Sequence, residues 1–309
     1  MKVLVTGNAG FIGSNLVEAF LEKNNLIVGI DRDKSRQYVL TKIENKIDMI
    51  WDDIKYLESY YEQLEAIDII YHMAAASDIA RSAKNPSYDL VENVQGTHKI
   101  LEMMRKLDIE KLIFPSTSVV YGENAPRPTP ETQGDFRPIS QYAASKAAVE
   151  NFIHAYANMY GINAWIFRFA NVMGRNQRRG VVLDFVNKLN KNPKELEILG
   201  DGNQLKSYIH VSDCIDGMFW VVAKNKNKNV QTYNLAVKDQ VTVKELADIV
   251  CDEMGLKPKY KFTGGDRGWP GDMPKISLAV DKVFSTGWRP KMDCEAAIRK
   301  TVRELNVSK

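Results

Sequence analysis

Brief apolar runs alternate with longer helical stretches through the first half of the chain. Residues 2–5, 26–30, 48–51, 68–73, 111–115 and 165–169 are largely apolar and are bounded by polar or turn residues. Runs of this kind read as strands buried on both faces. Between them, residues 11–23 place Leu16, Val17, Phe20 and Leu21 on one side of a helix, and residues 88–107 and 141–160 also carry helical patterns. The alternation predicts an α/β fold with a doubly wound parallel sheet. The regularity weakens after Asn171. Gly200-Asp201-Gly202-Asn203 is a turn cluster, and residues 263–274 form a long Gly/Pro-rich stretch. Loops of that length are usually functional or disordered, and Arg267 and Trp269 inside this one favour function. A smaller second domain built from the later segments is expected, and no internal repeat is visible.

Composition narrows the class. The 309 residues are 44% hydrophobic and 26% charged, ordinary for a globular protein. A net charge of +3 is too small to argue for nucleic acid, and the Lys/Asn alternation at residues 224–229 reads as a solvated loop. No apolar run reaches the ~18 residues of a membrane span. The chain enters its first strand pattern directly, with no export signal, so a cytoplasmic protein is expected. Cys214, Cys251 and Cys294 lie far apart with no paired spacing, which fits a reduced compartment and no metal site.

The first candidate chemistry sits between the first strand and the first helix. Gly7-Asn8-Ala9-Gly10-Phe11-Ile12-Gly13 has GxxGxxG spacing. Glycines there permit a tight turn and a close approach of backbone to a pyrophosphate, which the helix N-terminus then attracts. The bare pattern is weak, but here a strand precedes it, a helix follows it, and Asp31 ends the next strand. A carboxylate at that place accepts hydrogen bonds from ribose hydroxyls and repels a 2′-phosphate, which favours NAD over NADP. Arg32 tempers the preference, because a guanidinium could pair with that phosphate.

The wider glycine spacing resembles the short-chain dehydrogenase/reductase superfamily. That resemblance implies cofactor contacts at Gly7, Gly10, Phe11, Ile12, Gly13, Asp31 and Arg32. It implies adenine contacts at Asp53 and Ile54, and further contacts at Met73, Ala74, Ala75, Asn93 and Ala170. His72, inside the same strand end, reads as structural and is assigned no chemistry.

Tyr142-Ala143-Ala144-Ser145-Lys146 matches YxxxK, a spacing that puts both side chains on one helix face. Tyr38 and Lys42 share the spacing but fall in a polar loop, whereas Tyr142 begins the long helix after the fifth strand. A free tyrosine has a pKa near ~10, and bringing it to ~7 takes roughly 4 kcal/mol. One ammonium about 5 Å away at an effective dielectric of ~20 supplies about 3 kcal/mol. A positive nicotinamide ring would add to this and burial would oppose it. Tyr142 is thus the candidate base, and Lys146 its helper and a holder of ribose hydroxyls. The resemblance places the catalytic Ser/Thr, counted back from Tyr121-Gly122, on Thr117, with Ser118 as the nearby alternative.

From Lys2 to about Leu305 the chain is similar to the extended branch of this superfamily, which acts on nucleotide sugars. The further motifs are Asp78-Ile79-Ala80-Arg81-Ser82, Arg168-Phe169-Ala170-Asn171-Val172-Met173-Gly174, Gly200-Asp201-Gly202-Asn203-Gln204, Tyr208-Ile209-His210-Val211-Ser212-Asp213 and Gly268-Trp269-Pro270-Gly271-Asp272. The resemblance is to UDP-glucose (UDP-galactose) 4-epimerases in particular. It implies a Rossmann NAD-binding domain over residues 1–170 and 211–237, and a nucleotide-sugar domain over residues 171–210 and 238–309. It also implies substrate contacts at Ser77, Ser118, Asn171, Val182, Lys206 and Arg267, and a homodimer through residues 88–107 and 141–160.

Related 4,6-dehydratases carry Asp-Glu directly after the catalytic threonine, and related decarboxylases carry a glutamate two residues after it. Ser118 and Val119 stand there in this chain. Valine transfers no proton, so elimination loses its acid/base and redox at C4 remains. Two departures concern the diphosphate. Lys206-Ser207 replaces an arginine before Tyr208, keeping the charge but losing the bidentate fork. Arg267 lies two residues ahead of Trp269, so either Lys206 or Arg267 could serve. The residue at 276 or 277 would control access for an N-acetyl group at C2, which leaves the sugar open. The rivals are another nucleotide-sugar enzyme, such as a keto-sugar reductase, and a non-catalytic NAD-binding regulator.

Overall fold

The computed structural model describes residues 1–77, 79–225 and 229–307. Asp78 and the middle of the Lys/Asn loop lie outside the described residues. The chain divides into two compact units.

The first unit comprises Met1–Val120, Pro138–Arg168 and Asn225–Tyr233. Its strands are β1 (Lys2–Thr6), β2 (Leu26–Ile30), β3 (Asp48–Ile50), β4 (Ile69–His72), β5 (Lys111–Thr117) and β6 (Asn163–Phe169). With Val230–Leu235 at the far edge they form a seven-stranded sheet in the order Val230–Leu235, β6, β5, β4, β1, β2, β3. The central pairs are parallel, with Val3 opposite Ile27 on one side and Ile69 on the other. The order reverses beside β1, the switch point at which open α/β sheets bind ligands beyond the strand ends. The apolar runs are strands because both faces are covered: Val3, Leu4, Val5, Ile70, Leu112 and Ile113 are fully buried. Leu101, Met104, Val149 and Ile153 from two helices complete the same core.

The helix expected at 88–107 is not regular. Ser87–Asp89 leads into a π-helical turn over Leu90–Gln95, and regular α-helix resumes at Gly96–Lys106. Such widened turns are rare overall and frequent at functional sites. Here buried Asn93 accepts from Ala76 N at 2.7 Å and donates to Ala76 O at 3.0 Å and to Ser145 Oγ at 2.8 Å. The helix Gln141–Tyr160 follows its expected span, capped by the Ser140 hydroxyl and closed by Gly161 in the left-handed region.

The second unit comprises Tyr121–Arg137, Phe169–Lys224 and Asn234–Lys309. It holds three short two-stranded sheets and the helices Val181–Lys191, Val211–Lys224, Val243–Glu253 and Cys294–Val307. Asn171–Met173 pairs in parallel with Tyr208–His210, and Glu195–Ile198 with Lys259–Phe262. By contact the helix Val211–Lys224 belongs to this unit, whereas the resemblance implied an NAD-binding domain that includes residues 211–237. The reason is local bonding: Asp213 accepts from Lys291 N and Met292 N, and Asp216 accepts from Trp288 Nε1. Residues 121–137 join it through Thr129, which exchanges backbone bonds with Ser277 and Ala279.

Candidate active site

The glycine turn after β1 is built against the end of β4. Gly7 has φ +66°, and a Cβ there would sit 2.7 Å from Ala74 N. Gly13 faces the same turn, and a Cβ on it would press into the Gly7 carbonyl and lie 2.9 Å from the Cα of Asn8. Both neighbours are backbone, so neither can rotate away. Gly10 caps the helix Phe11–Leu21 with no side-chain hydrogen bond. The first-turn N–H groups of that helix therefore face the turn without a protein cap, the arrangement that suits an anionic pyrophosphate. Gly13→Ala is expected to weaken NAD binding by about 5–150-fold, the equivalent of the usual 1–3 kcal/mol for overpacking. Titration calorimetry with NAD checks this, and unchanged affinity would remove Gly13 from the turn's function.

Asp31 directly follows β2, and its carboxylate accepts from Ala9 N at 3.0 Å and Asp33 N at 2.9 Å. Burial pushes its carboxyl above the usual value, and the two backbone N–H groups oppose this. Arg32 turns to Asp53, at 2.9 Å, and to Glu92. Asp53 also caps the turn beginning at Ile54, which packs against Gly96. Met73 and Ala74 are half-buried and Ala75 exposed at the end of β4. Asn93 is committed to Ala76 and Ser145, so it positions the strand end against the long helix. His72 is buried between the Thr6 and Thr97 hydroxyls, and burial pushes its pKa down to about 3, as a structural histidine requires. Ser77 is exposed after the same strand end.

Thr117 ends β5, with its hydroxyl near enough to the Tyr142 phenol to favour the ionised form. Tyr38, by contrast, is 69% exposed, so the fold separates the two YxxxK matches. Burial pushes the Tyr142 phenol up to about 12, the Thr117 hydroxyl opposes this, and the Asp89 carboxylate adds to it. Lys146 is buried, donates to Pro115 O at 2.8 Å and lies 4.3 Å from the centre of the Phe114 ring. Burial pushes its pKa down to about 7, with the Glu150 charge opposing. Lys146 is therefore not the full charge that would acidify the phenol: in the folded chain burial dominates both groups, raising the phenol and lowering the ammonium.

Sequence reasoning missed the support beneath these residues. Glu150 lies one helical turn after Lys146 and is bound by Arg168 of β6, with Nη2 to Oε2 at 2.6 Å and Nε to Oε1 at 3.2 Å. The Ser116 hydroxyl donates to the same carboxylate. All three are at most 5% exposed. A charged residue four positions after Lys146, on a helix face that is otherwise small or apolar, was the available signal.

In the second unit, Ala170 is buried and its N–H donates to Leu235 O. Asn171 donates through Nδ2 to Ser207 O at 3.1 Å. Val182 is 1% exposed, packed in that unit's core, so its side chain reaches no ligand and only its main chain, in an uncapped first turn, could. Lys206 is buried and salt-bridged to Asp272 at 2.6 Å, with the Trp269 ring 5.5 Å away. Arg267 is more exposed and pairs with Glu123 at 2.9 Å and with Asp266.

Residues 3–236 match the model of the NAD dependent epimerase/dehydratase family. The chain belongs to that family. It is 30% identical over 316 residues to the UDP-glucose 4-epimerase of Mycolicibacterium smegmatis, covering 98% of this chain and 97% of the relative. A UDP-galactose 4-epimerase crystal structure superposes with a TM-score of 0.89 at 33% identity, covering 100% of this chain and 99% of the other. The UDP-glucuronic acid 4-epimerase of Bacillus cereus, solved with UDP-glucuronic acid and NAD, superposes with a TM-score of 0.89 at 25% identity and complete coverage of both chains. The protein is an NAD-dependent enzyme of the nucleotide-sugar epimerase/dehydratase type with a Rossmann fold. Among the described residues no helix is long and apolar enough to cross a membrane. The uncapped helix end, the Asp31 carboxylate and the small residues at the end of β4 fit NAD.

Proposed function

We propose that this enzyme inverts C4 of a UDP-hexose, with UDP-glucose and UDP-galactose as its pair of substrates. The observation that carries the reading is the placing of Thr117, at the end of β5, beside the Tyr142 phenol, with Val119 two residues on. A base with a hydroxyl partner stands at the reacting end of β5, and no proton carrier occupies the position that elimination needs. NAD, when bound, supplies the hydride acceptor for C4 and a fixed positive charge. Tyr142 removes the O4 proton, and Thr117, with Ser118 as its alternative, relays the hydrogen bond between O4 and the phenol. Lowering the phenol from about 12 to ~7 takes about 7 kcal/mol. Even a fully charged Lys146, at about 3 kcal/mol, leaves Tyr142 protonated, so on this reading the base is armed by the bound cofactor.

On this reading the first unit carries NAD and the second the UDP-sugar. Asn171 and the main chain at Val182 serve the nucleotide end. Arg267, the more exposed cation, takes the diphosphate, while buried Lys206 braces the loop through Asp272. Helices Gly96–Lys106 and Gln141–Tyr160 pair across a homodimer, a role that suits Phe152, Met159 and Tyr160, which are 43%, 70% and 46% exposed. Three free cysteines suit a cytoplasmic enzyme.

The test is purified enzyme with UDP-galactose and no added cofactor, with products separated by anion-exchange chromatography. Accumulation of UDP-glucose, with no net change in nicotinamide absorbance, is the expected result. Parallel reactions with UDP-N-acetylglucosamine and UDP-glucuronate rank the sugars. A dehydrated keto-sugar product, or turnover only with stoichiometric NADH or NADPH, would overturn the proposal.

A further inference from the structure

Arg32 directly follows Asp31, the carboxylate placed for ribose hydroxyls. An arginine near that acid is the usual group by which such a site accepts a 2′-phosphate. In this chain it is already engaged. Its Nη1 donates to Asp53 Oδ2 at 2.9 Å and to Glu92, and its Nη2 lies 3.4 Å from the Tyr88 hydroxyl. The two carboxylates come from different elements, Asp53 from the loop after β3 and Glu92 from the π-helical turn. Their side chains are 16% and 15% exposed. Lys55 completes the cluster, 3.3 Å from Glu92 Oε1 and 3.6 Å from Asp53 Oδ2. Two cations and two anions balance, so the cluster offers a phosphate no surplus positive charge.

We propose that Glu92 and Asp53 lock Arg32 and thereby set the enzyme's preference for NAD over NADP, acting alongside Asp31. Asp31 repels the 2′-phosphate, and the lock withholds the guanidinium that would otherwise receive it. Removing Asp31 alone therefore leaves the preference largely in place. Glu92 is the better handle, because Asp53 also caps its own turn.

The test is equilibrium binding of NADP and NAD, by calorimetry on enzyme freed of co-purified cofactor. It needs no turnover. Four proteins are compared: wild type, Asp31→Ala, Asp31→Ala/Glu92→Gln, and the latter with Arg32→Ala added. The expected result is weak NADP binding by Asp31→Ala, at least fivefold tighter binding once Glu92→Gln is added, and loss of that gain without Arg32. Adding salt should shrink the gain. Glu92→Ala repeats the comparison without the amide, and thermal melts confirm that each protein is folded. Two outcomes overturn the lock: NADP affinity indifferent to Glu92, or a gain that survives the loss of Arg32. Failure of wild type to bind NAD would instead indict the cofactor site itself, which separates the two failures.

Discussion

Tyr142→Phe is expected to lower kcat for C4 epimerisation by about 10²–10⁴-fold, the range of a positioned general base. The loss should fall on kcat, with NAD affinity within about twofold, because the ring stays and only the proton acceptor goes. The physical case rests on how hard this phenol is to ionise. Burial and the Asp89 carboxylate hold the proton on, and the neighbouring Thr117 hydroxyl opposes them. Initial rates with UDP-galactose, beside calorimetric NAD binding, provide the check. Near-normal turnover in the phenylalanine variant would strip Tyr142 of the base role.

Glu150→Ala should cost about 3–5 kcal/mol of stability in the first unit, because it strands the buried Arg168 guanidinium. A fall in melting temperature of roughly 10 °C follows from that loss. The more informative variant replaces both partners, Glu150→Leu with Arg168→Met. Well-packed apolar pairs often match buried ion pairs in stability, so most of the melting temperature should return. Activity should not return with it. The Ser116 hydroxyl donates to Glu150, and that bond ties the strand carrying Thr117 to the helix carrying Tyr142 and Lys146. Without it kcat should stay at least ~10-fold down, the usual cost of misplacing reacting groups by about an ångström. Full activity in the double variant would reduce the pair to a stability role. Calorimetric melts and steady-state rates separate the two readings.

The sequence by itself was sufficient for whatever depends on short-range order. Apolar runs at the spacing of alternating strands and helices identified the doubly wound sheet. Gly7, Gly10 and Gly13 between a strand and a helix, with Asp31 after the next strand, located the glycine turn. Chain order was enough to prefer Tyr142 and Lys146 over Tyr38 and Lys42. Each of these is a local pattern, or a position along a regular alternation.

Tertiary structure alone decided which charges face one another and how deeply they are buried. The partnership of Arg32 with Glu92 spans 60 residues, that of Ser116 with Glu150 spans 34, and Lys206 meets Asp272 across 66. No periodicity encodes such pairs. The π-helical turn at Asn93 and the burial of Val182 were equally invisible, because each follows from what packs against the segment. The second unit was blurred for the same reason: its strands are two to four residues long, too short to show a pattern, and their pairing depends on segments far apart in the chain. The ionisation of Tyr142 and Lys146 is the clearest case. Spacing put both on one helix face, but it was desolvation, a property of the whole fold, that pushed the phenol up and the ammonium down.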